Sequence, residues 1–220
     1  MTSLMNVKLE CPTNFFIFCN RYHPMTVHNL TFTKTFTSAA FTYCSISSEF
    51  LKKYSEGVAN YLPYLPVKSD CEVITPYCLT SMNDYRIEYD AEICRKANYP
   101  KSPSRLSAVF AFGDYETCKI VAKKYNWDLT SVKRFNLVNN PLNRVIKVNM
   151  EIVSLARYAF RISYSEQNEL ENLWRHYWNG GGNIQMELPN ANFSREKIDS
   201  GEIFEYLIEG AVTLADGGGK

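Results

Sequence analysis

Residues 203–214 read Ile203-Phe204-Glu205-Tyr206-Leu207-Ile208-Glu209-Gly210-Ala211-Val212-Thr213-Leu214. β-Branched and aromatic side chains at this density suit a buried strand, and Gly210 closes its apolar body. Glu205 stands among them. A carboxylate in such surroundings is costly unless it is paired, hydrogen-bonded or used chemically. A fold for this chain has to hold that strand inside and give Glu205 either a partner or a site.

The 220 residues suffice for one domain with a sizeable core, and 45% hydrophobic with 14% aromatic residues is a globular composition. A formal net charge of +1 gives no overall electrostatic case for nucleic acid or an anionic membrane. No apolar run approaches the length of a membrane-spanning helix. Met1–Asn6 lack the basic and apolar regions of a signal peptide, so the expected compartment is cytoplasmic. Seven cysteines, without a C-x-x-C pair, point to neither a disulfide framework nor a zinc site and are expected reduced. With three histidines and no acidic pair at ligand spacing, no metal is expected.

Along the chain, Asn14–Asn20 is an apolar run expected as a central strand, ending in Arg21-Tyr22-His23-Pro24. Thr31–Thr37 alternates as a strand or extended loop. Residues 38–70 have helical potential broken by Pro63 and Pro66, and 70–104 show no sustained period. An irregular insertion is therefore expected at about 45–100. Leu106–Phe112 reads as a strand, followed by Asp114 as the N-cap of a helix presenting Cys118, Val121, Ala122 and Tyr125. Asn143–Val153 alternates as a strand. Ser163–Glu166 has capping-box spacing and opens a helix with Leu170, Leu173, Trp174, Tyr177 and Trp178 on one stripe, stopped at Gly180–Gly182. A loop over 183–202 feeds the Glu205 strand, and 216–220 is a flexible end. The sum is a single α+β domain over 1–215.

Residue by residue, a plain structural role is open for each polar group of interest. Glu205 and Glu209 suit an exposed edge strand, Ser104 a turn after Pro103, and Ser107 a close-packed strand. Arg21 suits a solvated strand end, and His23 before proline suits a turn. The run Lys119, Lys123, Lys124, Lys133, Arg134 reads as a solvated face, with Tyr125 and Trp127 near enough to suit RNA or DNA contact.

Three motifs in order carry a resemblance across almost the whole chain. Ser102-Pro103-Ser104-Arg105-Leu106-Ser107-Ala108-Val109-Phe110-Ala111-Phe112, followed by a helix, resembles the middle motif of ADP-ribosyltransferase-like domains. Glu205-Tyr206-Leu207-Ile208-Glu209-Gly210 resembles their final glutamate strand, and Arg21-Tyr22-His23 their opening motif. The helix ending Tyr177-Trp178-Asn179-Gly180 is similar to that of small bacterial members.

The resemblance implies an ADP-ribosyltransferase-like split β-sheet core with flanking helices, and NAD as co-substrate. Glu205 would stabilise the ribosyl cation that forms as nicotinamide leaves, with Glu209 the alternative register. Ser107, or second Ser104, would hold carboxylate and ribose in register. Arg21, or His23 in its place, would anchor the cofactor, and Tyr22 would stack on nicotinamide. Arginine-modifying branches carry another glutamate two residues earlier; here that position is Ile203, with Glu202 on the opposite strand face. An arginine acceptor is thus disfavoured, leaving nucleic acid, another side chain or a small molecule; the resemblance implies a macromolecular acceptor, with RNA or DNA in view, in a toxin or phage-defence setting with an antitoxin protein as partner. A non-catalytic binding module and an NAD-dependent RNA 2′-phosphotransferase, using Arg21, His23 and Arg105 as cations, are the alternatives.

Overall fold

The computed structural model describes residues 11–22, 24–59, 76–162, 167–190, 192 and 194–215. His23, Ser163–Glu166, the prolines at 63 and 66, and the end at 216–220 lie outside these, and the expectations placed on them with it. In chain order the elements are β1 (Asn14–Phe18), α1 (Pro24–His28), β2 (Thr35–Thr37), α2 (Ala39–Ile46), α3 (Ser48–Glu56), α4 (Pro76–Asn98), β3 (Val109–Ala111) and α5 (Tyr115–Tyr125). They continue with β4 (Val132–Leu137), β5 (Arg144–Asn149), α6 (Met150–Ile162), α7 (Gln167–Trp178), β6 (Gln185–Pro189), β7 (Arg195–Asp199), β8 (Phe204–Glu209) and β9 (Ala211–Leu214).

The architecture is α+β with open antiparallel sheets. One sheet has the order β1-β4-β9-β2, a second β3-β8-β5, and β6-β7 form a hairpin. The run 203–214 is the hinge between the two larger sheets: β8 is central in the three-stranded sheet, and after Gly210 the chain continues as β9 in the other. Gly210 is needed there for space, because a Cβ would stand 2.6 Å from Asn143 Oδ1. A second link is the bridge between Phe16 and Phe112, with N–H···O distances of 2.7 and 2.8 Å.

Strand alternation assigns the side chains of β8 to two different cores. Ile208 packs with Phe15, Ile17, Phe135 and Val212 between the two sheets. Leu207, on the opposite face, packs beneath the helices with Ile87 and Ala91 of α4, Ile152 and Ala156 of α6, and Trp174 and Trp178 of α7. Glu205 and Glu209 share the face of Leu207, so both carboxylates point towards the helical layer.

The α7 stripe is as the spacing predicts: Leu170, Leu173, Trp174, Tyr177 and Trp178 are all buried, and Trp178 Nε1 donates to Ala91 O at 2.9 Å. Asp114 caps α5, its carboxylate accepting from Thr117 N at 2.6 Å and from Thr117 Oγ1 at 2.9 Å. Asp114→Ala is expected to lower stability by about 1 kcal/mol, read as an earlier urea midpoint with unchanged m-value. An unaltered midpoint would show that the cap contributes nothing.

Five expectations are corrected. Residues 76–98 form the long helix α4 where irregular chain is expected. Its inward face carries Ile87, Ala91 and Cys94, but also the buried pair Glu92 and Arg95, and the charges interrupt the apolar period. The loop expected over 183–202 contains the β6-β7 hairpin, hidden in the sequence because Leu188 is its one fully buried side chain among the described residues. Strand β5 stops at Asn149, whose Oδ1 accepts from Glu151 N and Ile203 N, both at 3.1 Å, so that 150–153 open α6. Strand β1 lies at the end of its sheet order and is not central. Thr31–Thr37 divides into the end of a π-helical turn, Asn29–Thr33, and the short β2.

Candidate functional site

Glu205 lies opposite Val148 on β5 and is only 7% exposed. Its one hydrogen bond among the described residues is from Arg105 Nη1 to Oε1 at 3.2 Å. Arg105 projects from the turn Ser104–Ala108, closed by Ser107 N–H and Ala108 N–H donating to Ser104 O at 3.1 and 2.9 Å. Its guanidinium is used on every edge. Nε and Nη2 donate to the two oxygens of Glu88 on α4 at 2.9 and 3.0 Å, and Nη1 also donates to the Tyr177 hydroxyl at 2.6 Å. The rings of Phe110 and Tyr177 lie 5.2 and 5.6 Å from Arg105 Cζ. Arg157 on α6 stands 3.6 Å from Glu88 and supplies a second positive charge.

Burial raises the Glu205 pKa above its ordinary value; Arg105 is the main opposing influence, Glu88 adds to the rise and Arg157 opposes it. Burial also pushes the Tyr177 hydroxyl well up, so it stays protonated beside Arg105. The arrangement is a desolvated carboxylate that takes one bond from a guanidinium whose fork is held by Glu88.

Glu205 also lines a cleft of about 700 Å³. Its aromatic lining comes from Phe18, Tyr22, Phe110, Phe112 and Trp127, with Arg21 and Asp128 as the other charged residues. Arg21 is held by its Nη2 donating to Thr130 O at 2.5 Å, while Tyr22 is 96% exposed. Phe18 meets Trp127 and Phe112 edge-on, at centroid distances of 5.2 and 5.8 Å. Cys19 lines the same cleft, but burial pushes its thiol up to about 11, so it offers no thiolate at neutral pH.

The structure thus brings Glu205, Arg21 and Tyr22 to one cleft. Ser104 and Ser107 are elsewhere. Ser107 Oγ donates to Glu209 Oε1, which also accepts from Ser104 N at 3.0 Å. Ser104 Oγ donates to Glu92 Oε2 at 2.8 Å. Glu209 lies four strand residues, roughly 13 Å, beyond Glu205. It is wholly buried and does not line the cleft, with Arg144 Nη1 3.9 Å from its Oε2. The expected Ser107–Glu205 pairing is therefore replaced by Ser107–Glu209, because β3 runs antiparallel to β8 and its leading turn reaches the far end of that strand. Glu202 lines a separate hollow beside Asp114 and Lys147, so no second carboxylate from that position enters the Glu205 cleft.

Sequence reasoning missed Glu88, Tyr177, Phe110, Trp127 and Asp128 as companions of Glu205, and weighed Arg105 only as a phosphate ligand. Glu88 had no local signal, since it lies in a helix read as irregular chain. Lys119 pairs with the exposed Glu116, as suits a solvated face, whereas Lys124 reaches inward to the buried Glu151. His176 contacts Gly182 O at 3.2 Å, a structural role. Among the described residues, no group of His, Cys, Asp and Glu is arranged for a metal, and no helix is long and apolar enough to cross a membrane. No protein-family model matches this chain, and no curated protein matches it significantly.

Proposed function

We propose that the chain is an NAD⁺-dependent ADP-ribosyltransferase with Glu205 as its catalytic carboxylate, on the split-sheet core of that family. The observation that carries this reading is a buried strand carboxylate that opens onto an aromatic-lined cleft also holding Arg21. Aromatic faces and a nearby carboxylate suit a flat, positively charged ring such as the nicotinamide of NAD⁺. The two antiparallel sheets joined through Gly210, and Arg21 just past the end of β1 sharing the cleft with Glu205 of β8, support the same reading.

In the reaction the C1′–nicotinamide bond breaks, nicotinamide leaves with the bonding pair, and a nucleophile of the acceptor bonds C1′ and gives its proton to solvent. Glu205, accepting a hydrogen bond from the ribose, stabilises positive charge developing at C1′ in a water-poor site. Arg21 binds ribose or phosphate, and Tyr22 and Trp127 flank the ring. With Ile203 preceding the carboxylate by two residues, an arginine acceptor is disfavoured, and RNA or DNA is the macromolecular acceptor to test first.

The test is nicotinamide release and label transfer from labelled NAD⁺ with separate RNA, DNA and protein pools. Glu205→Gln is expected to lose about 100-fold or more of the turnover. No release in any pool, or undiminished release by the variant, would overturn the assignment. A binding module without catalysis is the second reading, favoured by the Arg105–Glu205 pair, which satisfies the carboxylate without a substrate. It predicts equal NAD⁺ binding by both proteins and turnover by neither. The 2′-phosphotransferase alternative calls for several cations around a phosphate, and Arg21 is the one cationic lining residue among those described.

A further inference from the structure

Resting on the reading of Glu205 as catalytic, we propose that Arg105, clamped by Glu88 and Tyr177, is the positioning residue that keeps Glu205 ionised and aimed at the cleft. The geometry is directional. A guanidinium has two edges that can grip a carboxylate, and Arg105 spends its Nε/Nη2 edge on Glu88, at 2.9 and 3.0 Å. That grip fixes the plane of the group and leaves Nη1 for Glu205 Oε1 at 3.2 Å and the Tyr177 hydroxyl at 2.6 Å. Phe110 and Tyr177 confine the guanidinium further. One oxygen of Glu205 is thereby held, and Oε2 takes no hydrogen bond from the described residues. An ionised carboxylate with a free oxygen at a cleft is the form a ribose hydroxyl needs.

Charges from every neighbouring element bear on Glu205. Glu88 from α4 opposes its ionisation, whereas Arg157 from α6 and Arg105 from the turn favour it. Tyr177 from α7 and Tyr125 from α5 are protonated neighbours whose own ionisation Glu205 discourages. Arg157 lies 3.6 Å from Glu88, so it offsets the charge of Glu88 and leaves that of Arg105 to act on Glu205.

The test follows nicotinamide release against pH for the wild type, Arg105→Met and Arg105→Lys, with the Glu205 carboxyl titrated by carbon NMR in the same proteins. Arg105→Met is expected to move both the acidic limb of kcat and the carboxyl titration up by about one pH unit or more, the usual influence of an adjacent arginine. KM for NAD⁺ should be unchanged, because Arg105 does not bind substrate. Arg105→Lys keeps the charge but cannot grip Glu88 and reach Glu205 together, so it should show the same displacement at smaller size. Should the methionine variant not fold, the lysine variant decides. Limbs and titrations that coincide with the wild type in the folded variants overturn the proposal and leave Arg105 a structural residue. A wild type that releases no nicotinamide defeats the enzyme reading instead, and the carboxyl titration still reports on Arg105.

Discussion

Arg95→Met is expected to lower the unfolding free energy by about 3–5 kcal/mol, the cost of stranding one member of a buried ion pair. Arg95 and Glu92 are each 1% exposed and meet along a two-bond fork, Nε to Oε2 at 2.9 Å and Nη2 to Oε1 at 2.8 Å. Arg95 Nη1 also donates to Pro100 O and Ser102 O at 3.2 and 3.1 Å, tying the chain that leaves α4 back onto the helix. Without the guanidinium, Glu92 keeps the Ser104 hydroxyl, at 2.8 Å, as its remaining hydrogen-bond donor among the described residues. For a domain of this size the thermal midpoint should fall by roughly 6–20 °C. Arg95→Met combined with Glu92→Met should recover much of the loss, because an apolar pair has no charge to desolvate. A single variant within the scatter of ordinary surface substitutions would show that the pair is not buried together. The effect should also reach the site, since residues 100–104 lead directly into the turn that presents Arg105.

That linkage explains why the sequence disclosed the β8 carboxylate but not its surroundings. Local pattern is enough for elements whose apolar residues follow one period. The α7 stripe from Leu170 to Trp178, the Asp114 cap and the strand through Leu207 are each legible because one rule governs all their residues. Helix α4 was illegible for the opposite reason. Its buried face mixes Ile87 and Ala91 with Glu92 and Arg95, whose pairing with each other is a tertiary solution to burial. The hairpin β6-β7 was hidden because most of its side chains face solvent.

The same distinction applies within the site. Glu205 stands out because a charge contradicts the local apolar pattern. Ser107 looked like its companion because both belong to recognisable motifs, yet motif order carries no strand register. Register decides: Val109 lies opposite Ile208 and Ala111 opposite Tyr206, so the turn before β3 falls beside Glu209 and not Glu205. Arg105 reaches Glu205 from that turn because its side chain is long, where serine's is short. Length of side chain, more than position in the motif, selected the partner.

Glu205→Gln is expected to separate function from stability: turnover falls about 100–1,000-fold, as for loss of one preorganised electrostatic contact, while the fold becomes no weaker at neutral pH. The sign follows from protonation. Burial raises the folded-state pKa of Glu205 above its ordinary 4.5, so between those two values the native chain binds more protons than the unfolded one. Stability from this residue is therefore greatest below pH 4.5 and declines as pH rises through the raised value. Glutamine carries no charge to desolvate and does not follow that decline. Its amide still offers an oxygen to Arg105 Nη1, and Glu88 and Tyr177 continue to hold the guanidinium. Thermal melts of both proteins at neutral and acidic pH should accordingly show Glu205→Gln at least equal to the wild type at pH 7 and losing that advantage towards pH 4. The alternative outcome is equally readable. A variant much less stable at pH 7 would mean that the Arg105–Glu205 pair outweighs the burial of the carboxylate, making Glu205 a structural anchor whose retention needs no substrate. Equal or greater stability with lost turnover is the signature of a carboxylate kept, against the interest of the fold, for what it does at the cleft.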